Sequence, residues 1–164
     1  MKRLMMLTML LLLMPATGFA ETTIEEAWVR LPPPVADTAA AYMKIENHGD
    51  HDVEITGIET TIATSPEFHS MEMHDGMMNM QKMEKVIVPA HGEISFSPGG
   101  NHLMLVGLTT PLKAGSHIMM TLKTSDGESI MVHAEVKDMR SNKEHNKHEM
   151  KMDDAKSDHH GMHH

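Results

Sequence analysis

The chain has 164 residues, a formal net charge of −9 and no cysteine. Its length suits one ordinary domain with a short extension, and its acidic balance argues against nucleic acid as a partner, because phosphates require a basic face. The lack of cysteine excludes a thiol nucleophile, a zinc–thiolate finger and the thiolate of a blue-copper centre. Any metal site must therefore be built from histidine, methionine and carboxylate side chains.

The first twenty residues predict a cleaved export signal. Lys2 and Arg3 precede an apolar run over 4–14, and small residues follow near position 20. The apolar run is too short for a comfortable membrane span, which needs about 20 residues, although a retained anchor is the alternative. We expect a periplasmic mature protein that begins at Glu21 and does not span the membrane.

The middle of the chain predicts short β-strands. Turn-forming segments such as NHGD, SPGGN and SDGE separate seven apolar or alternating runs, at 24–32, 39–47, 51–59, 93–100, 102–108, 116–124 and 129–137. Seven closely spaced strands predict an all-β fold, an antiparallel β-sandwich, over 21–138. The segment LPPPVADTA is expected to be a loop or an edge, since proline cannot donate a hydrogen bond within a central strand.

The composition changes at the C-terminal end. Residues 139–164 include no Val, Ile, Leu or aromatic residue, so they cannot bury enough apolar surface to offset the entropy of ordering. We expect a disordered His/Met-rich tail that captures Cu(II), because imidazoles suit that ion. Its candidate ligands are His145, His148, His159, His160, His163 and His164. An added affinity tag is the alternative, which the interrupted ending HHGMHH makes less favourable.

The stretch EFHSMEMHDGMMNM, at 67–80, contains two histidines and five methionines. Methionine often only fills gaps in a core, but imidazole and thioether together select copper(I). An Asp-Gly turn can fold this stretch back on itself and leave His69 and Met80 at its two ends. Further along, His102 and Met104 are two residues apart and would share one face of a strand. These four neutral side chains predict a site for a soft monovalent ion.

The same four residues resemble the metal-binding motif of the periplasmic copper chaperones of the PCu(A)C family. That motif is a His, ten residues, a Met, twenty-one residues and His-x-Met, and each interval matches here. The flanking segments MHDGMMNMQKM and SPGGNHLMLVGL are also similar to family sequences, and the resemblance covers about 27–136. It implies a cupredoxin-like β-sandwich and a Cu(I) site near solvent. The family pattern also includes a methionine soon after the first histidine, here Met71, as an auxiliary ligand.

The resemblance also implies a function. It predicts a copper chaperone that delivers copper to an acceptor cuproprotein, such as a respiratory oxidase subunit with its copper centre, or to another copper chaperone. We expect a monomer and not an enzyme, because nothing arranges Glu72 and Asp75 as an acid–base pair. The alternative is a periplasmic copper buffer or storage protein without a dedicated acceptor. Transfer to a purified apo-acceptor would separate the two.

The remaining histidines and methionines have a simpler interpretation. Several methionines near the motif are interpreted as apolar shielding of the site, with direct ligation the less favoured alternative: Met73, Met77, Met78 and Met83. His74 is expected to be exposed on the turn. Five other histidines have no partner at ligand spacing in the sequence and are interpreted as surface or strand residues: His48, His51, His91, His117 and His133.

Overall fold

The computed structural model describes residues 21–74 and 76–140, and these form ten β-strands. They are β1 (Thr22–Arg30), β2 (Thr38–Asn47), β3 (Val53–Thr60), β4 (Ala63–His74), β5 (Met77–Met83), β6 (Val86–Val88), β7 (Glu93–Phe96), β8 (His102–Leu108), β9 (His117–Thr124) and β10 (Ser129–Lys137). Within the described ranges there is no helix with the length and apolar character needed to cross a membrane. The predicted export signal, at 1–20, and nearly all of the predicted tail lie outside the described residues.

The strands form one curled sheet whose two halves enclose a common core. Nine of them follow the order β5-β4-β8-β2-β1-β10-β9-β3-β6, and β7 pairs with the second half of β2. All pairs are antiparallel except β1 with β10, the first and last strands, which run side by side in the same direction. Val29 and Leu103 from one half of the sheet and Leu122 and Val132 from the other are fully buried in one cluster. The prediction of an all-β sandwich is confirmed.

Each of the seven predicted runs overlaps a strand, and the runs 102–108 and 129–137 coincide with β8 and β10. Strands β4, β5 and β6 were not predicted. β4 contains Pro66, which is unfavourable in a central strand, but β5 pairs with β4 only from Phe68 onward. At Pro66, β4 therefore has a partner only on the β8 side, where proline is tolerated. β5 is mostly exposed along its length, so it lacks the apolar alternation by which strands are recognised.

The β4–β5 hairpin lies at one end of the sheet, next to β8. His74 pairs with Met77 beside the turn, and Gly76 has a φ of 79°, a conformation that glycine adopts without strain. The prediction that this stretch folds back on itself is thus confirmed. On its other side β4 pairs with β8, where Gly107 leaves room for the Thr64 side chain, since a Cβ at Gly107 would clash with the Thr64 hydroxyl. This pairing joins the first half of the predicted metal motif to the second.

Candidate metal centre

The two histidines of the predicted motif lie directly opposite each other on β4 and β8. Phe68 and Leu103, their neighbours in sequence, point into the core, so His69 and His102 occupy the outer face of the sheet. Both are nevertheless buried, with exposed fractions of 9% and 8%. Their ring centroids are 5.6 Å apart in an edge-on arrangement. The structure therefore brings together two residues that are 33 positions apart in sequence.

Glu67 fixes which nitrogen of the His69 ring is free. Nε2 of His69 lies 2.9 Å from Oε2 of Glu67, and because a carboxylate can only accept, Nε2–H is the donor. In a neutral imidazole the lone pair then belongs to Nδ1. Nδ1 is buried and has no hydrogen-bond partner within the described part of the chain. A buried nitrogen with an unused lone pair is unusual, and a soft cation would satisfy it.

A backbone carbonyl fixes the His102 ring in a similar way. Nδ1 of His102 lies 3.1 Å from the carbonyl oxygen of Gly100, and since a carbonyl can only accept, Nδ1–H is the donor and the lone pair is on Nε2. Metal-binding histidines in proteins commonly use one nitrogen for the metal and donate the other to a carboxylate or a carbonyl. His69 and His102 each donate one ring nitrogen in this way, and the other nitrogen of each ring carries the lone pair.

Glu67 is held in the charged form that this arrangement needs. Lys82 donates from Nζ to Oε1 of Glu67 at 2.8 Å. The hydrogen bond from Lys82, followed by the one from His69, lowers the pKa of Glu67 from 4.5 to about 2. The carboxylate is therefore ionised at neutral pH. The sequence reasoning missed Glu67, although its position two residues before His69 on a strand places both side chains on one face.

Met104 and Met71 lie on opposite sides of the histidine pair along the strands. Met104 is half-buried and pairs with Glu67, whereas Met71 is half-buried and pairs with Met80 on β5. Met71 and Met104 thus flank the two histidines on either side, each two residues from its own histidine. We call His69, Met71, His102 and Met104 the β4–β8 cluster.

Met80 is the most exposed of the four residues of the predicted motif. It belongs to the outermost strand, and its side chain is 51% exposed. Met80 lies opposite Met71 on β4, whereas Met104 lies opposite Glu67, four residues earlier on β4. Met80 and Met104 are therefore offset by about 14 Å along the strand direction. Met80 is the diagonal neighbour of His69, because His69 lies opposite Lys82, two residues beyond Met80. A long side chain can reach across such a diagonal. Met71, on β4, lies one strand nearer to β8 and its His102 than Met80 does.

The described residues contain no cluster of three or more His, Asp or Glu side chains arranged to hold a metal ion. A site for a hard cation such as Mg²⁺ or Ca²⁺, which needs several oxygen ligands, is therefore not formed there. Any metal at the β4–β8 cluster depends on imidazole and thioether ligands. Met73, Met77 and Met78 on the adjoining hairpin are exposed and do not bury the site. The six candidate histidines of the tail lie outside the described residues.

Residues 22–136 match a protein family described as "Putative lipoprotein LpqE-like". The chain belongs to this family. A relative from Leifsonia xyli subsp. xyli (strain CTCB07), named "Putative lipoprotein Lxx21020", is 33% identical over 116 residues, which are 70% of this chain and 69% of the relative. Both names refer to lipoproteins and so indicate exported proteins.

Solved structures agree with the resemblance to PCu(A)C domains. The Cu(I) form of DR1885 from Deinococcus radiodurans is 35% identical, with a TM-score of 0.57 over 76% of this chain and 83% of that one. Its apo form is 36% identical, with a TM-score of 0.56 over 76% and 87%. The copper-bound PCuAC domain of PmoF2 has a TM-score of 0.63 over 74% and 96%, and its 22% identity shows the shared fold alone.

Proposed function

We propose that this protein is an exported copper chaperone that binds one Cu(I) ion through His69, Met80, His102 and Met104, with Met71 as an auxiliary ligand. The observation that carries the proposal is the buried, unpaired Nδ1 of His69 beside the ring of His102. All the proposed ligands are neutral, and thioether with imidazole is a ligand set that favours Cu(I). The copper is the cargo of this protein, and the proposed role is not enzymatic.

The uneven exposure of the ligands suits transfer of the metal. His69 and His102 are buried and have one ring nitrogen each held in place, whereas Met80 is half exposed. An acceptor could displace an exposed thioether first while the imidazoles still hold the ion. Exchange one ligand at a time avoids the release of free copper, which is the property that distinguishes a chaperone from a sink.

A related protein supports the same role. DR1885, which is 35% identical to this chain, has been solved with Cu(I). We infer that the acceptor is a cuproprotein in the periplasm, such as a respiratory oxidase subunit, or another copper chaperone. The tail histidines, which lie outside the described residues, would capture Cu(II) by their imidazoles.

Copper transfer tests the proposal. Full-length protein loaded with one equivalent of Cu(I) is mixed with a purified apo-acceptor, and the copper on each protein is measured after rapid separation. A chaperone is expected to transfer copper in the presence of a Cu(I) chelator that intercepts free metal. Transfer that stops when the chelator is added would instead favour the buffer.

A variant pair shows whether transferred copper comes from the proposed site. His69→Asn with His102→Asn removes the two imidazole ligands, whereas His48→Asn with His51→Asn removes two exposed histidines elsewhere. The first pair should abolish transfer and the second should leave it unchanged. Equal transfer by both pairs would contradict the assignment of the site.

A further inference from the structure

A second group of histidines and methionines lies on the outer face of β9 and β10. His117 and Met119 alternate with the core residue Ile118, and Met131 and His133 alternate with the core residue Val132. All four are exposed, Met119 by 58% and Met131 by 62%. The expectation that the two histidines are surface strand residues is confirmed. The expectation that they lack a partner at ligand spacing is wrong, because each has a methionine two residues away.

The pairing of the two strands brings these four residues together. Met119 lies directly opposite His133, and Met131 lies opposite Thr121, two residues beyond Met119. Directly opposite residues have Cβ atoms about 5 Å apart, and diagonal neighbours are about 7 Å apart, within reach of long side chains. His117 and Met131 are thus the diagonal neighbours of His133 and Met119. One cation above the centre of this group can be approached by two imidazoles and two thioethers.

We propose that His117, Met119, Met131 and His133, the β9–β10 cluster, form a second binding site for a soft monovalent cation, Cu(I) or Ag(I). The proposal goes beyond the chaperone site and does not depend on it. The arrangement repeats that of the β4–β8 cluster, in which two His/Met pairs, each spaced by two residues, also lie on adjacent antiparallel strands. In one cluster a histidine faces a histidine, and in the other a methionine faces a histidine.

The choice of residue on the exposed surface favours a metal over an apolar docking partner. Seven of the nine exposed large hydrophobic side chains in the described residues are methionines, and no exposed leucine or phenylalanine is among them. A docking surface would gain equally from leucine or aromatic side chains, which are preferred at strand positions or in apolar contacts. Methionine differs from leucine chiefly in its thioether sulfur. The affinity of sulfur for soft metal ions therefore explains why methionine is preferred at these exposed positions.

The charges around the β9–β10 cluster also suit a cation. Glu135 lies opposite His117, and Glu59 on β3 lies opposite Thr121. Lys123 forms an ion pair with Glu59 at 3.2 Å, which offsets the charge of that carboxylate. Glu135, directly opposite His117, then supplies the negative charge beside the cluster. A carboxylate near the site raises the local concentration of cations without changing the ligand set.

The two clusters are separate sites. Strands β2 and β1 lie between β8 and β10 in the sheet, so the clusters are about 15 Å or more apart along its surface at the usual strand spacing. A single ion cannot be shared across this distance. Occupancy of the β9–β10 cluster would therefore appear as an additional equivalent of metal.

The test uses full-length protein, with Met119→Leu and Met131→Leu combined in one variant. Leucine keeps the exposed apolar volume and removes both sulfurs, so the variant separates metal binding from apolar docking. Met77→Leu with Met139→Leu is the matched control, because it removes two exposed thioethers outside both clusters. Each protein is dialysed against Cu(I) buffered by a chelator, and bound copper is counted. Ag(I) titrations are followed in parallel by the methyl signals of methionine.

We expect the wild type and the control to retain about one more Cu(I) per chain than the β9–β10 variant. We also expect the Met119 and Met131 methyl signals to shift with Ag(I) after those of the β4–β8 cluster have saturated. Equal copper retention by all three proteins, or Met119 and Met131 signals that stay fixed at excess Ag(I), would overturn the proposal. The Met104 methyl signal reports the chaperone site independently, so failure of one site is distinguishable from failure of the other.

Discussion

The β4–β8 and β9–β10 clusters each have two histidines and two methionines on adjacent antiparallel strands, but they differ in how firmly the side chains are held. The histidines of the β4–β8 cluster are buried, and each has one ring nitrogen bonded to a fixed acceptor. Those of the β9–β10 cluster are exposed. Ordering a free side chain on binding costs about 0.5–1.5 kcal/mol. The comparison leads us to expect tight binding at the β4–β8 cluster, where the rings are buried and fixed, and weaker, exchangeable binding at the β9–β10 cluster.

Removing both buried histidines should have the largest effect. His69→Asn with His102→Asn is expected to lower Cu(I) affinity at the β4–β8 cluster by at least about 1,000-fold, because loss of a supporting residue alone typically costs 10–100-fold. Competition with a Cu(I) chelator measures the affinity, and His48→Asn with His51→Asn is the control. Metal-dependent shifts of the Met119 methyl signal should survive. If they vanish as well, the two clusters are not independent.

Removing the charge that holds His69 should have a smaller effect on the same cluster. Glu67→Gln is expected to weaken Cu(I) binding by about 10–100-fold, since the ring loses its charged acceptor and a fixed orientation. Glu54→Gln is a matched control, because Glu54 also accepts from a lysine, Lys85, at 3.0 Å. Chelator competition again gives the affinities. Equal affinity of the two variants would mean that Glu67 does not orient the metal-binding ring.

The two facing methionines on β4 and β5 should partly replace each other. Met71→Leu and Met80→Leu are each expected to weaken Cu(I) binding less than 10-fold, whereas the double variant should lose more than the product of the two, as neighbouring residues often do. Chelator competition on the four proteins completes the cycle. A full loss from Met80→Leu alone would assign the ligand to Met80, and a full loss from Met71→Leu alone would assign it to Met71.

The smallest expected effect is on the stability of the metal-free protein in acid. The pKa of Glu67 is lowered from 4.5 to about 2, so its ionised form stabilises the fold above about pH 4.5, and this contribution disappears as pH falls toward 2. The unfolding temperatures of the wild type and Glu67→Gln should therefore differ at pH 6 and converge between pH 4.5 and pH 2. The difference should be small, because the ion pair of Glu67 is with the exposed Lys82, and ion pairs open to solvent contribute little. A gap that persists unchanged at pH 2 would contradict the lowered pKa.

Much of the sandwich was predictable because its core strands alternate or carry compact apolar runs between clear turns. β8 and β10 were predicted to the residue, since Leu103, Leu105, Val132 and Ala134 mark the buried face. β5 was not predicted, because its methionines lie on an exposed edge where no alternation is required.

The pairing of His69 with His102 was only partly predictable. Spacing within the chain indicated that both belong to one site, but the register of β4 on β8 depends on packing between distant segments. For the β9–β10 cluster a local signal did exist. The Asp126–Gly127 turn predicts a hairpin, and the hairpin register places Met119 beside His133. Sequence spacing alone, at fourteen residues, did not suggest a shared site.

The central claim is that the fold leaves one specific nitrogen of each buried histidine free for Cu(I). Two-dimensional ¹H–¹⁵N NMR of the imidazole rings, recorded before and after one equivalent of Cu(I), tests it most directly. The account predicts that Nδ1 of His69 and Nε2 of His102 shift, while Nε2 of His69 and Nδ1 of His102 keep their protons. Metal on Nε2 of His69, or no shift of either ring, would contradict it.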